Sequence, residues 1–373
     1  MREPLTWGIL GTGNIARQFA EGVKGAARSR IVAVASRDAE RAAAFAKSYG
    51  AAAAYGNYEA LLKDSGVSAV YVALPNNLHH EWTIRALKAG KHVLCEKPLA
   101  MNTAEAEEMF DASRRAGRLL VEAFMYRSHP LTHAVLQQVR QGAIGQVKLV
   151  RTSFCYRTSR VEGNIRFSPE LGGGSLMDVG CYAIDFARLV AGGEPIAVHG
   201  AGHLHNGGVD DYAAGMLVFP KRQSDRATER PSYEATEEAA RKPEAWSLEP
   251  SLLATFTCGM TVQAPNAAYI CGDEGYIEVP VPWKPPQRGA TYLLGHAIPP
   301  RMDVVPPSPG KPPVAPQDRQ TFTVDAPVPL YALEADDFAA AVLDGTPPRM
   351  TPQDSLGNMR VLDELRRQVV HAG

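Results

Sequence analysis

Leu5-Thr-Trp-Gly-Ile-Leu-Gly-Thr-Gly-Asn-Ile-Ala16 decides the fold of the N-terminal half. An apolar run of strand length meets Gly-x-Gly-x-x-Ala. A helical pattern follows from about Asn14 to Val23, then a second apolar run, Arg30-Ile-Val-Ala-Val-Ala35. Strand, glycine turn, helix and strand within about 30 residues is the context that makes this short motif informative. Gly11 permits the tight turn, Gly13 lets the backbone approach a pyrophosphate, and Ala16 permits close packing of helix on strand. The unpaired N–H groups of the helix N-terminus suit phosphate oxygens. Thr12, Asn14 and Ile15 complete the expected dinucleotide-binding turn.

The second strand ends in Ser36-Arg37-Asp38. An NAD site usually places a carboxylate there, on the ribose 2′-hydroxyl. The first polar groups here are a hydroxyl and a guanidinium, and the planar guanidinium suits a 2′-phosphate. NADP is therefore favoured over NAD, with an inward-turned Asp38 as the alternative.

Working outward, helical and apolar segments alternate. A helix over Ala39–Tyr49 ends at Gly50, and a short one follows over Tyr58–Lys63. A buried strand spans Ala69–Leu74, an amphipathic helix Glu81–Ala89, and Val93-Leu-Cys-Glu-Lys-Pro-Leu99 comes next. Thr103 is the expected N-cap of a helix over Glu105–Arg115, and Leu119–Ala123 closes the series. Such alternation predicts an α/β, doubly wound parallel sheet over residues 1–123. From Gln146 the pattern turns β-rich, with Val147–Tyr156 alternating. Further strands are expected at 196–201, 211–219, 251–258, 259–264, 269–272 and 276–279. Residues 124–373 are thus expected to form a second α/β domain with an open, mostly antiparallel sheet. A charged insertion at 221–245, a proline-rich extended excursion at 281–318 and C-terminal helices over 329–370 complete it.

The bulk properties exclude more than they select. A net charge of −1 over 373 residues gives nucleic acid no basic footprint. No apolar run reaches the length needed to span a bilayer. Five cysteines with no C-x-x-C pair argue against a disulfide framework, and a cytoplasmic protein with reduced thiols is expected. His199, His203 and His205 lack the carboxylate or cysteine partners that a metal site needs, so no metal is expected.

Two further stretches carry chemistry. Glu96-Lys97-Pro98 ends an apolar strand, where a lysine sits at the ligand-binding edge of a parallel sheet. Gly172-Gly173-Gly174 precedes Asp178 and Tyr182, which are four residues apart and share a helix face. An ammonium beside a phenol would lower the phenol's pKa, so Lys97 and Tyr182 are a candidate proton relay.

These three ordered motifs together resemble the glucose–fructose oxidoreductase / inositol dehydrogenase / MocA family. The resemblance covers nearly the whole chain except 221–245 and 281–318. It implies a nicotinamide-dependent oxidoreductase with a catalytic Lys97 and a substrate-binding Asp178. Tyrosine at 182, where inositol-dehydrogenase-like members carry histidine, is similar to the branch of dimeric dihydrodiol dehydrogenase and NADP-dependent xylose dehydrogenase. Leu74, Pro75, Asn76, His79 and Glu96 then correspond to the lining of the nicotinamide ribose, and Arg166 is a further candidate cofactor contact. Tyr126, Arg127 and Arg157 are candidate substrate contacts beside Asp178 and Tyr182. The expected reaction moves a hydride between nicotinamide C4 and a carbinol or carbonyl carbon of a sugar or sugar-like diol. An NAD-dependent glycosidase of the same fold and a non-catalytic dinucleotide-binding regulator are the other readings. The expected partner is a small carbohydrate or diol, with no nucleic acid and no membrane, in a homodimer or homotetramer formed through the second sheet.

Overall fold

Six short strands run parallel in the order β3-β2-β1-β4-β5-β6. They are β1 (Leu5–Leu10), β2 (Ser29–Ala35), β3 (Ala53–Tyr55), β4 (Ala69–Val72), β5 (His92–Glu96) and β6 (Leu120–Ala123). This is a computed structural model, and it describes residues 3–220, 250–297 and 317–371. The expected insertion at 221–245 lies outside the described residues.

Helix α1 (Asn14–Val23) buries Ala16, Phe19, Ala20 and Val23, an i, i+3, i+4, i+7 stripe. Phe19 meets Trp7 of β1 edge-on at 5.4 Å and stacks on Tyr71 of β4 at 3.8 Å. Helix α2 (Ala39–Tyr49) ends at Gly50, whose φ of 72° is the left-handed cap expected from sequence. Helices α3 (Tyr58–Leu62), α4 (His79–Lys88) and α5 (Thr103–Ala116) supply the remaining crossovers. The cap of α5 is Asn102, not Thr103: Asn102 accepts from Glu105 N at 3.0 Å. The Thr103 hydroxyl is taken instead by Asp363 at 2.6 Å.

Helix α6 (Pro130–Arg140), absent from the sequence reading, leads to an eight-stranded sheet in the order β14-β13-β12-β11-β7-β10-β9-β8. Its strands are β7 (Val147–Cys155), β8 (Ala197–Leu204), β9 (Asp210–Pro220), β10 (Pro250–Gly259), β11 (Ala268–Gly272), β12 (Gly275–Val279), β13 (Ala290–Ala297) and β14 (Gln317–Val324). Only β7 and β10 pair in parallel; the other neighbours are antiparallel. The strand expected at 259–264 does not form. Paired on both sides, β10 carries straight through to Gly259, and Thr261 keeps only an isolated bridge to Arg157. The excursion expected at 281–318 contains a full edge-side strand, β13, hydrogen-bonded to β12 and β14.

Along β10, Leu252, Ala254, Phe256 and Cys258 are buried while Leu253, Thr255 and Thr257 are exposed, so one face packs and the other faces outward. Helix α7 (Cys181–Ala191), buried through nearly its whole length, covers the packed face with α9 (Pro352–His371) beside it. Helix α8 (Leu330–Asp344) returns to the first sheet, where Phe338 lies 4.9 Å from Trp7.

Candidate active site

The carboxyl ends of β1, β2, β4 and β5 open onto a cleft of about 740 Å³, whose far wall comes from the second sheet and the glycine-rich segment before α7. Gly11 has φ 102°, and a Cβ there would stand 2.5 Å from the Ala73 carbonyl oxygen, so the turn after β1 requires glycine. A Cβ on Gly13 would meet nothing within 4 Å because it would project into the cleft. Helix α1 has no side-chain cap at Gly13. Its first N–H groups therefore face open space lined by Gly11, Thr12, Gly13, Asn14 and Ile15. That cradle fits a dinucleotide pyrophosphate.

At the adenosine end, Ser36, Arg37 and Arg41 line the cleft. Asp38 does not turn inward. Its Oδ1 accepts from Glu40 N at 3.0 Å and Arg41 N at 3.1 Å, capping α2. The carboxylate that would receive a ribose 2′-hydroxyl is thus committed to a helix and to Arg41, whose Nε lies 3.4 Å from Asp38 Oδ2, and Ser36 and Arg37 bring a hydroxyl and a second guanidinium to that edge.

At the opposite end, Lys97 Nζ donates to the Asp178 carbonyl oxygen at 2.7 Å and lies 3.4 Å from Asp178 Oδ1. The Lys97–Pro98 peptide is cis. Asp178 sits in a wide helical turn, Leu176–Gly180, that leads into α7. Gly174 (φ 120°) starts this turn against Asp210, whose Oδ2 accepts from Ser175 Oγ at 2.6 Å and Leu176 N at 2.7 Å. Asp178 Oδ2 also accepts from the Tyr156 hydroxyl at 2.6 Å and pairs with Arg166 Nε at 2.9 Å. Burial opposes ionisation of Asp178, but Lys97 and Arg166 hold it below the usual carboxylate range. Burial likewise disfavours the Lys97 ammonium, and Asp178 reverses this, so the lysine stays charged above its ordinary value.

Tyr182 lies in the same wall, but its hydroxyl is not at Lys97. The Lys97 ammonium stands over the ring face, 5.0 Å from the centroid. The hydroxyl donates to Met125 Sδ at 3.4 Å. Phe124, Phe154 and Trp283 surround the ring. Burial in this apolar nest pushes the Tyr182 pKa up, which corrects the lowering expected from an adjacent ammonium.

Other sequence-stretch candidates divide. Leu74, Pro75 and Asn76 line the cleft, and Asn76 Nδ2 also ties the glycine segment down through Gly172 O at 2.8 Å. Glu96 lines the floor, accepting from the Tyr71 hydroxyl and from Lys97 N. Burial raises its pKa. His79 is fully buried, with Nδ1 2.9 Å from Pro98 O and Nε2 2.9 Å from Leu74 O. Its ring lines the cleft, with the two nitrogens facing carbonyl oxygens of the two cleft loops. Tyr126 and Arg127 are not in the cleft. Both bind Asp185, Arg127 through Nε at 2.9 Å, and Arg127 also reaches Asp354 at 3.3 Å. They form a buried ionic joint instead of a substrate contact. Arg157 is exposed and bridges to Thr261, away from the cleft lining. Arg166 lines the cleft at its substrate end, on Asp178.

Among the cleft residues that escaped the sequence reading are Tyr156, Arg41 and Lys284. The alternation of β7 does carry the first, since Phe154 and Tyr156 fall on one face. Arg41 is one turn into α2, where nothing in the pattern distinguishes it. Lys284 lies in a proline-rich stretch without periodicity.

Comparison with known proteins agrees with this geometry. The profile described as an oxidoreductase family with an NAD-binding Rossmann fold matches residues 5–124, and the GFO/IDH/MocA C-terminal domain matches residues 132–225. A D-xylose 1-dehydrogenase (NADP(+)) of Haloferax volcanii is 42% identical over 215 residues, 58% of this chain and 66% of that enzyme. The trans-1,2-dihydrobenzene-1,2-diol dehydrogenase of Danio rerio is 33% identical over 378 residues, 98% of this chain and 97% of that enzyme. The crystal structure of KijD10, a 3-ketoreductase of Actinomadura kijaniata in complex with NADP and TDP-benzene, superposes with a TM-score of 0.77 at 28% identity, covering 98% of both chains.

Proposed function

Since the chain belongs to the GFO/IDH/MocA oxidoreductase family and is an NAD(P)-dependent dehydrogenase or reductase, we propose that it interconverts a carbinol and a carbonyl on a sugar or sugar-like diol, with NADP as its preferred cofactor. The observation that carries this reading is the convergence of the α1 glycine turn, Lys97, Asp178 and Tyr182 on one cleft. The named substrates of the two relatives, xylose and a benzene dihydrodiol, both carry adjacent hydroxyls, and Asp178 with its Tyr156 and Arg166 partners offers the donors and acceptors to hold such a pair.

When bound, the nicotinamide supplies or takes up the hydride. The chain's own groups handle the proton. Tyr182 is the proton donor during reduction: a thioether is a weak acceptor, so a substrate oxygen displaces Met125 as partner of its hydroxyl. The Lys97 ammonium acts through the ring face, where a cation offsets part of the rise that burial imposes on the phenol. Asp178 keeps that ammonium charged and fixes its position. Ser36, Arg37 and Arg41 take the 2′-phosphate, which is the basis for preferring NADP.

The chain divides near residue 123 into a dinucleotide-binding part and a substrate part. The exposed face of the second sheet, carrying Tyr212 and Leu253, pairs with a second copy. The test of function is NADPH and NADH binding by calorimetry, followed by an aldose and polyol panel read by nicotinamide absorbance. Turnover on a sugar or vicinal diol supports the reading. Tight binding with no turnover across the panel sinks it.

A further inference from the structure

One cation enters the cleft from the second sheet without any part in the proton chemistry. Trp283 and Lys284 lie between β12 and β13. Trp283 is buried, stacks on Phe154 at 5.7 Å and donates its indole N–H to Ser153 O at 2.9 Å. Packing therefore fixes the backbone that carries Lys284. From there Lys284 crosses to the first sheet's side, where Nζ donates to Gln18 Oε1 of α1 at 3.3 Å.

That partner is a neutral amide. The two carboxylates in the cleft are committed elsewhere, Asp178 to Lys97, Tyr156 and Arg166, and Glu96 to Tyr71 and the Lys97 amide. Burial and the positive charge of Lys97 push the Lys284 pKa down, with Arg166 adding to this against Glu96 and Asp178. An ammonium bonded to a neutral amide keeps its charge available to an anionic group in the cleft. Gln18 is one helical turn from Asn14, so it lies along the helix whose uncapped N-terminus faces the cradle.

We propose that Lys284 is an anion-binding residue that the second sheet contributes to the dinucleotide site, taking a phosphoryl oxygen of the cofactor's pyrophosphate. A carboxylate or phosphate on the substrate is the other source of the same chemistry. The proposal rests on the cleft being a nicotinamide dinucleotide site. It makes the segment between β12 and β13 a part of cofactor binding, beside α1.

The test is calorimetric binding of NADPH and NADH to the full chain and to Lys284→Gln and Lys284→Arg. Loss of one charge-assisted hydrogen bond raises the Kd of both nucleotides about tenfold in Lys284→Gln, and Lys284→Arg stays close to wild type. The equal loss matters because both nucleotides share the pyrophosphate and only one has the 2′-phosphate. Unchanged nucleotide binding with a raised KM for D-glucuronate but not D-glucose upholds the anion role and moves its source to the substrate. Weakening of NADPH alone, or no change in any of these, overturns the proposal. Failure of the wild-type chain to bind either nucleotide would instead sink the dinucleotide reading, independently of Lys284.

Discussion

The ammonium of Lys97 stands over the ring of Tyr182, 5.0 Å from its centroid, while the Tyr182 hydroxyl points to Met125. A cation on the ring face stabilises negative charge delocalised into the ring without a hydrogen bond to the oxygen. In the proposed mechanism Lys97 and Tyr182 act as one unit. Lys97→Met and Tyr182→Phe are each expected to lower kcat at least about 100-fold, and the double variant is expected to fall little further. Nucleotide Kd, measured on the same samples, should barely move. Near-normal turnover by Tyr182→Phe would remove the phenol from the mechanism and leave Lys97 as the proton carrier.

Asp178 offsets the charges of both Lys97 and Arg166 and accepts from Tyr156. Replacing it with Asn removes the carboxylate that keeps Lys97 protonated against burial. The sign follows: the lysine pKa falls, so the alkaline limb of the kcat/KM profile moves to lower pH in Asp178→Asn, along with a large loss of rate. Tyr156→Phe removes one hydrogen bond and leaves the ion pairs, so it should cost about tenfold in kcat/KM with no shift of that limb. Superimposable pH profiles for Asp178→Asn and wild type would contradict this electrostatic role.

Most of the first sheet was legible because Leu5–Leu10, the Gly11 turn and the α1 stripe all depend on local chemistry; the three-residue β3, Ala53–Tyr55, was not expected because it is too short to carry a period. Lys97 and Asp178 were legible as motif residues, but their 2.7 Å contact spans 81 positions and no local signal encodes it. That Arg127 lies outside the cleft was illegible for the same reason. A charged group next to a domain junction reads as a site until its distant partner, Asp185, is known. The orientation of the Tyr182 hydroxyl depends on Phe124, Phe154 and Trp283, from three separate segments. Strand β13 was hidden by the prolines around it, although its own residues, Ala290-Thr-Tyr-Leu-Leu-Gly-His-Ala297, are ordinary for a strand.

With Asp38 held as the cap of α2, the proposed preference for NADPH over NADH rests chiefly on Arg37, which lines the cleft at that edge. Arg37→Ala should raise the NADPH Kd about tenfold or more and leave NADH nearly unchanged. Asp38→Ala should cost about 1 kcal/mol of stability as a lost helix cap, without changing the cofactor ratio. Equal loss of both nucleotides in Arg37→Ala would assign that guanidinium to the adenine and not to the 2′-phosphate.

Glu122 on β6 tests how the floor of the site responds to pH. It is buried, its Oε1 accepts from Leu99 N at 2.9 Å just beyond the Lys97–Pro98 turn, and the Ser355 side chain partly offsets the cost of its charge. Burial pushes its pKa from an ordinary 4.5 up to about 8. Between those values the folded chain holds a proton that the unfolded chain has released, so stability falls as pH rises through this window and levels off above about 8. One such group contributes a slope of about 1.4 kcal/mol per pH unit. Other buried acids, Glu334 among them, are also raised by burial and add to the wild-type slope, so the informative comparison is with Glu122→Gln. The amide keeps the acceptor for Leu99 N and cannot ionise. Urea midpoints should therefore fall less steeply with pH in Glu122→Gln than in wild type. Equal slopes in the two proteins would mean that Glu122 is already ionised in the folded chain, with water at its second oxygen.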